Sequence, residues 1–376
     1  MSNLDISLII LSAGDSSRFK SQTKKQWLRV GNEPLWLKVT NRISSHYNFK
    51  KIIVTANSEE LFYMKRFCDY EIVEGGNTRQ SSLYNALLQV DTKYVLVSDV
   101  ARANISQNVV LELVNNIENY DNITPYLDVC DTTLLGEEVI DRNCVKLIQT
   151  PQLSLTDSLK KAIEKEIEFT DDSSAIKSNG GKVKYIKGDN LSKKITFVEN
   201  CKDILKDFEK PSLNNFTGFG YDVHAYEKNR TMYLGGIEVD SNIGFKAHSD
   251  GDVVIHSLID ALLGAVGAGD IGEWFPDTSQ KYKNASSIEL LKKVDRFIKN
   301  VGFEVVNVDI SIVAEFPKIS PFKDKISKKI SQILGVLPVN VNIKATTSEK
   351  MGFIGREEGV AVYTIATLKY FDWTKL

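Results

Sequence analysis

The chain has 376 residues, of which 42% are hydrophobic and 26% are charged, and its formal net charge is −2. This length accommodates two domains with separate cores, and the composition is that of a folded globular protein. The near-neutral charge excludes a general basic surface for nucleic acid, so an anionic ligand has to be met by local clusters of Lys and Arg.

The cysteine pattern and the hydropathy restrict the class further. The four cysteines form no C-x-x-C pair and all lie within the first 201 residues. This predicts neither a disulfide framework nor a cysteine zinc site, and it fits a reducing cytosol. No apolar run approaches membrane-spanning length, and the N-terminal MSNLDISLIILSAG lacks a basic leader. We therefore expect a cytoplasmic protein without a membrane partner.

The first half alternates apolar strand patterns with helical ones. The strand-like runs are ISLIIL (6–11), KIIVTA (51–56), YEIVEGG (70–76) and YVLVSD (94–99). The helical patterns PLWLKVTNRISS and RQSSLYNALLQV lie between them. Strands separated by helices predict right-handed crossovers and a mostly parallel α/β sheet, with ligands at the carboxyl ends of the strands.

The pattern changes near residues 209–215, where a charged helix is expected to end at Pro211 and a polar Ser/Asn stretch follows. A strand TGFGYDVHA and a long helix beginning near Asp252 come next. Two further helices and three further strands predict an α+β domain, with the helices on one face of a small mixed sheet. We predict a first domain at 1–208, a linker at 209–215 and a second domain at 216–376.

Three of the four histidines, His224, His248 and His256, fall in one neighbourhood. Residues i and i+2 of a strand share a face, so Asp222 and His224 can reach one point. Together with His256 in the following helix they suit zinc, and three protein ligands leave an open fourth position. A lone D-x-H is a weak signal, and satisfied structural histidines are the alternative.

The second half resembles 2-C-methyl-D-erythritol 2,4-cyclodiphosphate synthase. The resemblance rests on GYDVHAY, LGGI, HSDGDVVIHSLIDALLGAVGAGDIGEWFPDT and VNIKATTSEKMGFIGREEGVA, over about residues 216–370. It implies a ferredoxin-like type of α+β fold and a trimer with each active site between neighbouring subunits.

The resemblance also implies site residues. Zn²⁺ or another divalent metal would be held by Asp222, His224 and His256. His248 and Thr347 would flank the reacting phosphates, and Glu349 would bind a second metal, Mg²⁺ or Mn²⁺, that bridges the diphosphate. The substrate and cytidine contacts would come from Ser249, Asp270, Ile271, Gly272, Phe275, Pro276, Asp277, Thr278, Ser279, Ala314, Glu315, Phe316, Pro317, Lys318, Ile319, Ser320, Thr346, Ser348, Glu349, Phe353 and Arg356.

A glycine-containing loop, LSAGDSSRFKSQTKKQW, follows the first strand and carries Arg18, Lys24 and Lys25. It matches neither the G-x-G-x-x-G fingerprint nor a P-loop. Backbone amides at such a turn can cradle phosphate while the basic side chains neutralise charge. An ordinary strand-to-helix turn with solvated basic residues is the alternative for this stretch alone.

Further segments in the first half resemble 2-C-methyl-D-erythritol 4-phosphate cytidylyltransferase, over about residues 4–208. They are GGNTRQSS, SDVARAN, DRNCVKLIQTPQ and TDDSSAIKSNGGKV. The resemblance implies a Rossmann-like nucleotidyltransferase domain that uses Mg²⁺ or Mn²⁺ with CTP. The implied site residues are Gly14, Arg18 and Lys25 at the triphosphate, Arg79 and Ser82 on the nucleotide side, and Asp99, Arg102, Asp131, Arg142, Thr150 and Lys194 at the sugar phosphate.

The first half departs from that family pattern at three positions. Lys24 stands where the family usually has proline, and Val100 and Ala103 replace the alanine and proline of D-A-A-R-P. The segment GDNLSKKIT is longer than the usual form, so Lys193 is the alternative to Lys194.

The two resemblances together imply a fused bifunctional enzyme of non-mevalonate isoprenoid biosynthesis. It would act on small molecules and assemble as a homo-oligomer, with a dimer contact through the first domain as a further expectation. A kinase must act between the two steps; a complex that recruits it is one alternative, for which the sequence offers no feature. Activity on another polyol phosphate such as ribitol phosphate, or a non-catalytic scaffold half, are the competing interpretations.

Overall fold

A computed structural model describes residues 4–164, 167–247, 249–276, 278 and 285–376. The chain forms two compact units, unit 1 with Met1–Pro211 and Asp372–Leu376, and unit 2 with Ser212–Phe371. Within the described residues, no helix combines the length and the apolar character needed to cross a membrane.

Unit 1 is an α/β domain. Its strands are β1 (Ile6–Leu11), β2 (Arg29–Val30), β3 (Glu33–Pro34), β4 (Lys51–Ala56), β5 (Glu71–Glu74), β6 (Tyr94–Asp99), β7 (Asn122–Asp128), β8 (Thr133–Leu135), β9 (Glu138–Ile140), β10 (Lys146–Ile148), β11 (Gln152–Leu155) and β12 (Val183–Lys187). Its helices are α1 (Leu35–Ser44), α2 (Leu61–Met64), α3 (Arg79–Leu87), α4 (Gln107–Asn116), α5 (Thr156–Ile163), α6 (Asp172–Ser178) and α7 (Asn200–Ile204).

The main sheet of unit 1 has the order β10-β7-β11-β6-β1-β4-β5 in the described part of the chain, and β12 pairs with β7. Strands β5, β4, β1 and β6 are parallel to one another, whereas β11 runs antiparallel to β6 and β7, and β10 runs antiparallel to β7. Every residue of β1 and β6 is buried, as expected for strands covered on both faces. The predicted mostly parallel α/β sheet is confirmed.

Unit 2 is an α+β domain. Its strands are β13 (Asn215–Lys228), β14 (Met232–Leu234), β15 (Ile237–Asp240), β16 (Ile243–Phe245), β17 (Phe303–Val313), β18 (Val341–Thr346) and β19 (Gly359–Tyr370). Its helices are α8 (Val253–Val266), α9 (Ile271–Trp274), α10 (Ser287–Asn300), α11 (Lys323–Leu334) and α12 (Gly352–Gly355). The described strands form a mixed sheet of order β16-β13-β19-β17-β18, and the predicted α+β class is confirmed.

Two glycines of β13 bring helix α8 into close contact with the sheet. A Cβ atom at Gly218 would lie 2.0 Å from the carbonyl oxygen of Ala261, and one at Gly220 would lie 1.9 Å from that of Ser257. Any larger residue would force the helix away from the strand. Gly218 and Gly220 share the buried face of β13 with Asp222 and His224, so the helix and these two polar residues meet on the same side of the sheet.

Two boundaries differ from the sequence prediction. Helix α7 ends at Ile204, well before Pro211, because Leu205 leaves the helical conformation. The segment Asp372–Leu376, which we predicted to belong to the second domain, is part of unit 1.

Burial of Trp373 accounts for the position of this C-terminal segment. The Trp373 side chain is 5% exposed, and its Nε1–H donates to the carbonyl oxygen of Arg29 at 2.6 Å. The Arg29 guanidinium in turn lies over the rings of Trp27 and Phe67. The C-terminal segment therefore contributes a buried aromatic residue to unit 1.

We expect Trp373→Ala to destabilise unit 1 by about 3 kcal/mol, because truncating a buried tryptophan loses apolar burial and leaves a cavity. Hydrogen–deuterium exchange followed by mass spectrometry reports the two units separately. Exchange should accelerate in β1 and β6 and stay unchanged in β13 and β19. Lys375→Ala, at a side chain that is 77% exposed, is the control. Equal protection of β1 in the Trp373→Ala and Lys375→Ala proteins would contradict this role of the C-terminal segment.

Candidate functional site

A cleft of about 970 Å³ opens in unit 1 at the carboxyl ends of β1, β4 and β6. This is the edge at which the predicted parallel sheet should bind its ligand. The lining brings together seven of the residues expected from the sequence, namely Gly14, Arg18, Lys25, Arg79, Ser82, Asp99 and Lys194.

The loop after β1 is held against the turn that carries Lys25. Gln26 is buried, and its side chain donates to the carbonyl oxygen of Gly14 at 2.9 Å. Ser16 links the same two segments, since its Oγ donates to the Gln26 side chain at 3.0 Å and accepts from the Lys25 amide at 3.2 Å. The glycine of the loop and the lysine of the turn are therefore placed as one unit.

The ammonium group of Lys25 is electrostatically destabilised. Burial, with the nearby charges of Lys194 and Arg18, lowers the pKa of Lys25 to about 8, although Asp99 acts in the opposite direction. A polyanionic ligand would relieve both causes, because it supplies the missing negative charge. This is the electrostatic character expected of a phosphate site.

The opposite wall of the cleft is a buried ion-pair network around Asp99. Its carboxylate lies 2.6 Å from Lys194 Nζ and 3.3 Å from Arg79 Nε. Burial alone would raise the pKa of Asp99, but Arg79 and Lys194 outweigh it and hold this pKa well below its usual range. Arg79 also pairs with the buried Asp172 at 2.8 Å. Lys194, and not the exposed Lys193, is thus the lysine that lines the cleft.

Arg102 and Thr150 support this wall from behind. Arg102 Nε donates to Thr150 Oγ1 at 3.0 Å, which also accepts from the Asp99 amide at 3.3 Å. Both side chains are buried. Ser82 lies in the first turn of α3, and its Oγ donates to the carbonyl oxygen of Thr78, the N-cap of that helix, at 2.8 Å.

Asp131 and Arg142, which we expected at the sugar phosphate, lie outside this cleft. Both are exposed, and they flank the two-stranded β8–β9 arm that follows β7. The Arg142 guanidinium donates to the carbonyl oxygen of Cys130 at 2.6 Å, and neither residue lines the cleft within the described part of unit 1.

The three departures from the family pattern have structural roles. Lys24 forms ion pairs with Asp15 at 3.0 Å and with Glu60 at 2.6 Å. Val100 and Ala103 are 4% and 1% exposed and pack in the core. None of the three substitutions removes a charged group from the cleft.

Unit 2 brings Asp222, His224 and His256 together. Asp222 and His224 share one face of β13, as the i, i+2 spacing predicted, and His256 lies in the first turn of α8. Asp222 Oδ2 is 3.3 Å from His224 Nε2 and 3.2 Å from His256 Nδ1. The three candidate ligand atoms lie within 4.8 Å of one another, so these residues could hold a metal ion.

The chemistry of this set fits a divalent metal. Asp222 Oδ2 is buried and meets no hydrogen-bond donor of suitable geometry among the described residues. An oxygen in that state needs a positive partner, and a cation between it and the two ring nitrogens supplies one. One carboxylate and two imidazoles are a ligand set typical of zinc with an open position.

A second cluster of expected residues forms where β17 and β18 end. These strands are parallel, so Ala314 and Thr346 meet at their carboxyl ends, and the Ala314 amide donates to the Thr346 carbonyl at 3.0 Å. Glu315 accepts from the amides of Ser348 and Lys350, both at 3.1 Å. This carboxylate thereby orders the turn that carries Thr347 and Glu349, whose side chains are 3.2 Å apart.

The two clusters of unit 2 lie on different strands. Asp222 pairs with Val362, Val362 with Ile312, and Ile312 with Ala345, so the row crosses from β13 to β18. Three strand spacings correspond to about 14 Å. Within one chain, the three candidate ligand side chains are therefore well separated from the Thr346–Glu349 turn.

The remaining expected contacts surround the helix ends. Asp270 caps α9 by accepting from the Glu273 amide at 2.9 Å, and the Ile271 amide donates to Asp260 of α8 at 2.8 Å. Gly272, Pro276 and Thr278 are exposed and Phe275 is buried. Beyond Glu315, the segment Phe316–Ser320 joins β17 to α11, and Phe353 and Arg356 lie on or directly after α12. His248, Asp277 and Ser279 lie outside the described residues.

Comparisons with known proteins agree with both halves. The family model of 2-C-methyl-D-erythritol 4-phosphate cytidylyltransferase, IspD, matches residues 6–204, and the YgbB family model matches residues 216–369. The bifunctional enzyme IspD/IspF of Aliarcobacter butzleri is 56% identical over 99% of this chain and 100% of its own length.

The chain belongs to the bifunctional IspD/IspF family. Its relative from Campylobacter lari is 54% identical over 99% of this chain and 100% of its own length. The solved structure of the bifunctional IspDF from Campylobacter jejuni is 50% identical, covers 98% of this chain and 100% of its own, and superposes with a TM-score of 0.88. The fold and the two-enzyme organisation expected from the sequence are confirmed.

Two acidic residues of this IspD/IspF chain, one near each site, had no role predicted from the sequence. Asp172 lies in a quoted segment but carried no predicted role, and the structure pairs it with Arg79. Asp260 lies one turn after His256 on α8 and anchors the Ile271 amide. An apolar helix pattern surrounds the half-buried Asp260, so an acidic residue within that pattern was the signal that could have identified it.

We expect one divalent metal ion per chain, bound by the three unit 2 residues described above. His256→Ala should lose the ion, because it removes one of only three protein ligands. Elemental analysis after dialysis measures the metal content, and His46→Ala, which changes the histidine of unit 1, should retain it. A full metal complement in the His256→Ala protein would place the metal elsewhere.

Proposed function

We propose that the first unit transfers CMP from CTP to 2-C-methyl-D-erythritol 4-phosphate and releases pyrophosphate. The second unit cyclises 4-diphosphocytidyl-2-C-methyl-D-erythritol 2-phosphate to the 2,4-cyclodiphosphate and releases CMP. The observation that carries this proposal is the convergence of seven expected residues in one cleft, together with the Asp222–His224–His256 set in the other unit.

In the first reaction, an oxygen of the sugar phosphate attacks the α-phosphorus of CTP as the bond to pyrophosphate breaks. The nucleophile is already an anion, so catalysis consists of positioning and charge stabilisation. We assign Gly14, Arg18 and Lys25 to the triphosphate, with Arg79 and Ser82 on the nucleotide side. Mg²⁺ or Mn²⁺ accompanying CTP would neutralise further phosphate charge.

We assign Asp99, Arg102, Thr150 and Lys194 to orienting the sugar phosphate. Asp99 and Lys194 act from the cleft wall, and Arg102 and Thr150 support that wall from behind. Asp131 and Arg142 complete the sugar-phosphate end from a second copy of the chain. The exposed β8–β9 arm supports this dimer contact, since Leu134, Leu135 and Val139 are 57%, 73% and 71% exposed. Apolar side chains at such exposure favour burial against a partner.

In the second reaction, the 2-phosphate attacks the β-phosphorus and CMP leaves. We assign Asp222, His224 and His256 to Zn²⁺, which when bound stabilises negative charge on the phosphate oxygens. His248 and Thr347 flank the reacting phosphates, and Glu349 holds a second cation, Mg²⁺ or Mn²⁺. The remainder of the substrate is bound by Ser249, Asp270–Gly272, Phe275–Ser279, Ala314–Ser320, Thr346, Ser348, Phe353 and Arg356.

We further propose that unit 2 forms a trimer with each site shared by two neighbours. The separation of the metal-ligand set from the Thr346–Glu349 turn supports sharing, because one diphosphate has to contact both. The outward face of β13 and β19 supports assembly, since Phe219, Tyr221 and Tyr363 are 62%, 42% and 42% exposed. Head-to-tail contacts of this kind close into a ring with equivalent sites.

We also propose that the enzyme is cytoplasmic and that its two domains span residues 1–208 and 216–371. Its two steps are not consecutive, because a kinase acts between them. A ribitol phosphate substrate for the first unit is the main competing specificity. Comparing turnover on the two sugar phosphates would separate these specificities.

The protonation state of Lys25 gives a test of the first reaction. Because its pKa is lowered to about 8, Lys25 is charged below that pH and neutral above it. We expect kcat/KM for CTP, which reports the free enzyme, to fall as the pH rises above about 8. Lys25→Arg should remove this fall, because arginine stays charged. Lys25→Ala should lower the rate at pH 7 by about a hundredfold or more.

Cyclisation by the same variants is the internal control for that experiment and should be unchanged. A wild-type profile that stays flat to pH 9.5, or the same fall in the Lys25→Arg protein, would contradict the role of this ammonium group. Parallel loss of both activities in a folded variant would contradict independent sites.

Mixed trimers test the shared site. His224→Ala and Thr347→Ala should each abolish cyclisation. In a ring that contains both variants, one junction joins intact metal ligands to an intact Thr347. Co-expression should therefore restore part of the cyclase activity. Mixed trimers seen by native mass spectrometry without activity would show that each site is built within one chain.

A further inference from the structure

The metal-ligand candidate His256 has a second partner on the side of its ring away from Asp222. Its Nδ1 faces Asp222, and its Nε2 lies 2.9 Å from the Oγ of Ser287. Ser287 is the first residue of α10 and is fully buried. It lies 31 residues after His256 in the chain, and no role has been assigned to it above.

Asp250 fixes the direction of this hydrogen bond. Its Oδ1 accepts from Ser287 Oγ–H, and its Oδ2 accepts from the Ser287 amide at 2.9 Å. A serine hydroxyl has one proton, and Ser287 donates it in the hydrogen bond to the Asp250 carboxylate. Ser287 Oγ can therefore only accept a hydrogen bond from His256. The proton of the His256 ring therefore lies on Nε2, and the lone pair on Nδ1 faces Asp222.

Ser249 offers a weaker contact to the same nitrogen. Its Oγ lies 3.3 Å from His256 Nε2 and already accepts from the Gly251 amide at 3.1 Å. Ser287 lies closer to His256 Nε2 than Ser249 does, and two hydrogen bonds join Ser287 to Asp250. Ser287 and Asp250 therefore determine the orientation of the His256 ring more strongly than Ser249 does.

The turn that carries Asp250 also positions the other histidine. His224 Nδ1 lies 2.9 Å from the carbonyl oxygen of Gly251, which leaves Nε2 facing Asp222. Two adjacent residues, Asp250 through Ser287 and Gly251 directly, thus fix the tautomers of both rings. The link from Asp250 through Ser287 to His256 consists of side chains, so substitutions can test it. The link to His224 uses the backbone carbonyl of Gly251.

We infer that Ser287 and Asp250 are positioning residues for the metal site, and this inference rests on the proposed metal function of Asp222, His224 and His256. The pair orients the His256 imidazole, fixes its tautomer and increases the electron density at Nδ1 through the carboxylate. Partners of this kind typically change metal affinity by about ten- to a hundredfold.

The test measures zinc affinity of the full-length protein by competition with a chromophoric chelator. Ser287→Ala should raise the zinc dissociation constant about ten- to a hundredfold. Asp250→Asn, which keeps the side-chain shape and removes the charge, should weaken binding in the same direction. Ser331→Ala is the matched control, because Ser331 is a buried helical serine of unit 2 whose Oγ donates to the Lys328 carbonyl in its own helix.

Two measurements show whether weaker zinc binding comes from a destabilised fold or from a misplaced His256 ring. Thermal unfolding with excess chelator compares the metal-free proteins, and the absorption spectrum of the Co²⁺-substituted proteins reports ligand geometry. We expect similar metal-free stability but an altered Co²⁺ spectrum in Ser287→Ala. Wild-type zinc affinity with an unchanged Co²⁺ spectrum in both Ser287→Ala and Asp250→Asn would overturn the inference.

The His256→Ala protein shows whether a negative result refutes only the positioning role of Ser287 and Asp250 or the metal site as well. If His256→Ala loses zinc while Ser287→Ala binds normally, the site stands and the positioning role is wrong. If His256→Ala retains full zinc, the proposed site and the positioning role both fail.

Discussion

The close approach of helix α8 to strand β13 is the constraint on which the second site depends. Gly218 and Gly220 remove the two Cβ atoms that would collide with the helix backbone. The helix can then lie against the strand, which brings its first turn next to Asp222 and His224. Without that contact, His256 would be displaced from Asp222 and His224, and the three side chains could not reach one metal ion.

In the first site, the charged side chains are likewise held in place by contacts within the protein. Its buried carboxylate, Asp99, is paired within the cleft wall with Lys194 and Arg79. Within the described part of the chain, Lys25 forms no such ion pair, and its Nζ donates to the Ile195 carbonyl at 3.4 Å. The destabilised cation is therefore available for phosphate, at the cost of a lowered pKa.

Sequence reasoning predicted those features that depend on local pattern. The period-2 spacing placed Asp222 and His224 on one face, and the apolar runs located β1, β4 and β6 at their observed positions. Lys194 could not be chosen over Lys193 from spacing, because only the ion pair with Asp99 distinguishes them. Ser287 gave no signal, since its relation to His256 exists only after α10 has packed. The burial of Trp373 in unit 1 was likewise a tertiary event.

The central claim is that one chain carries two separate sites for two non-consecutive reactions, and phosphorus NMR of the purified protein tests it directly. With CTP, methylerythritol 4-phosphate and Mg²⁺, we expect pyrophosphate and the CDP-linked sugar to accumulate, and the reaction to stop there. Adding the CDP-linked sugar that carries a 2-phosphate should yield CMP and the cyclic diphosphate. Absence of pyrophosphate in the first reaction, or of CMP in the second, would contradict the account.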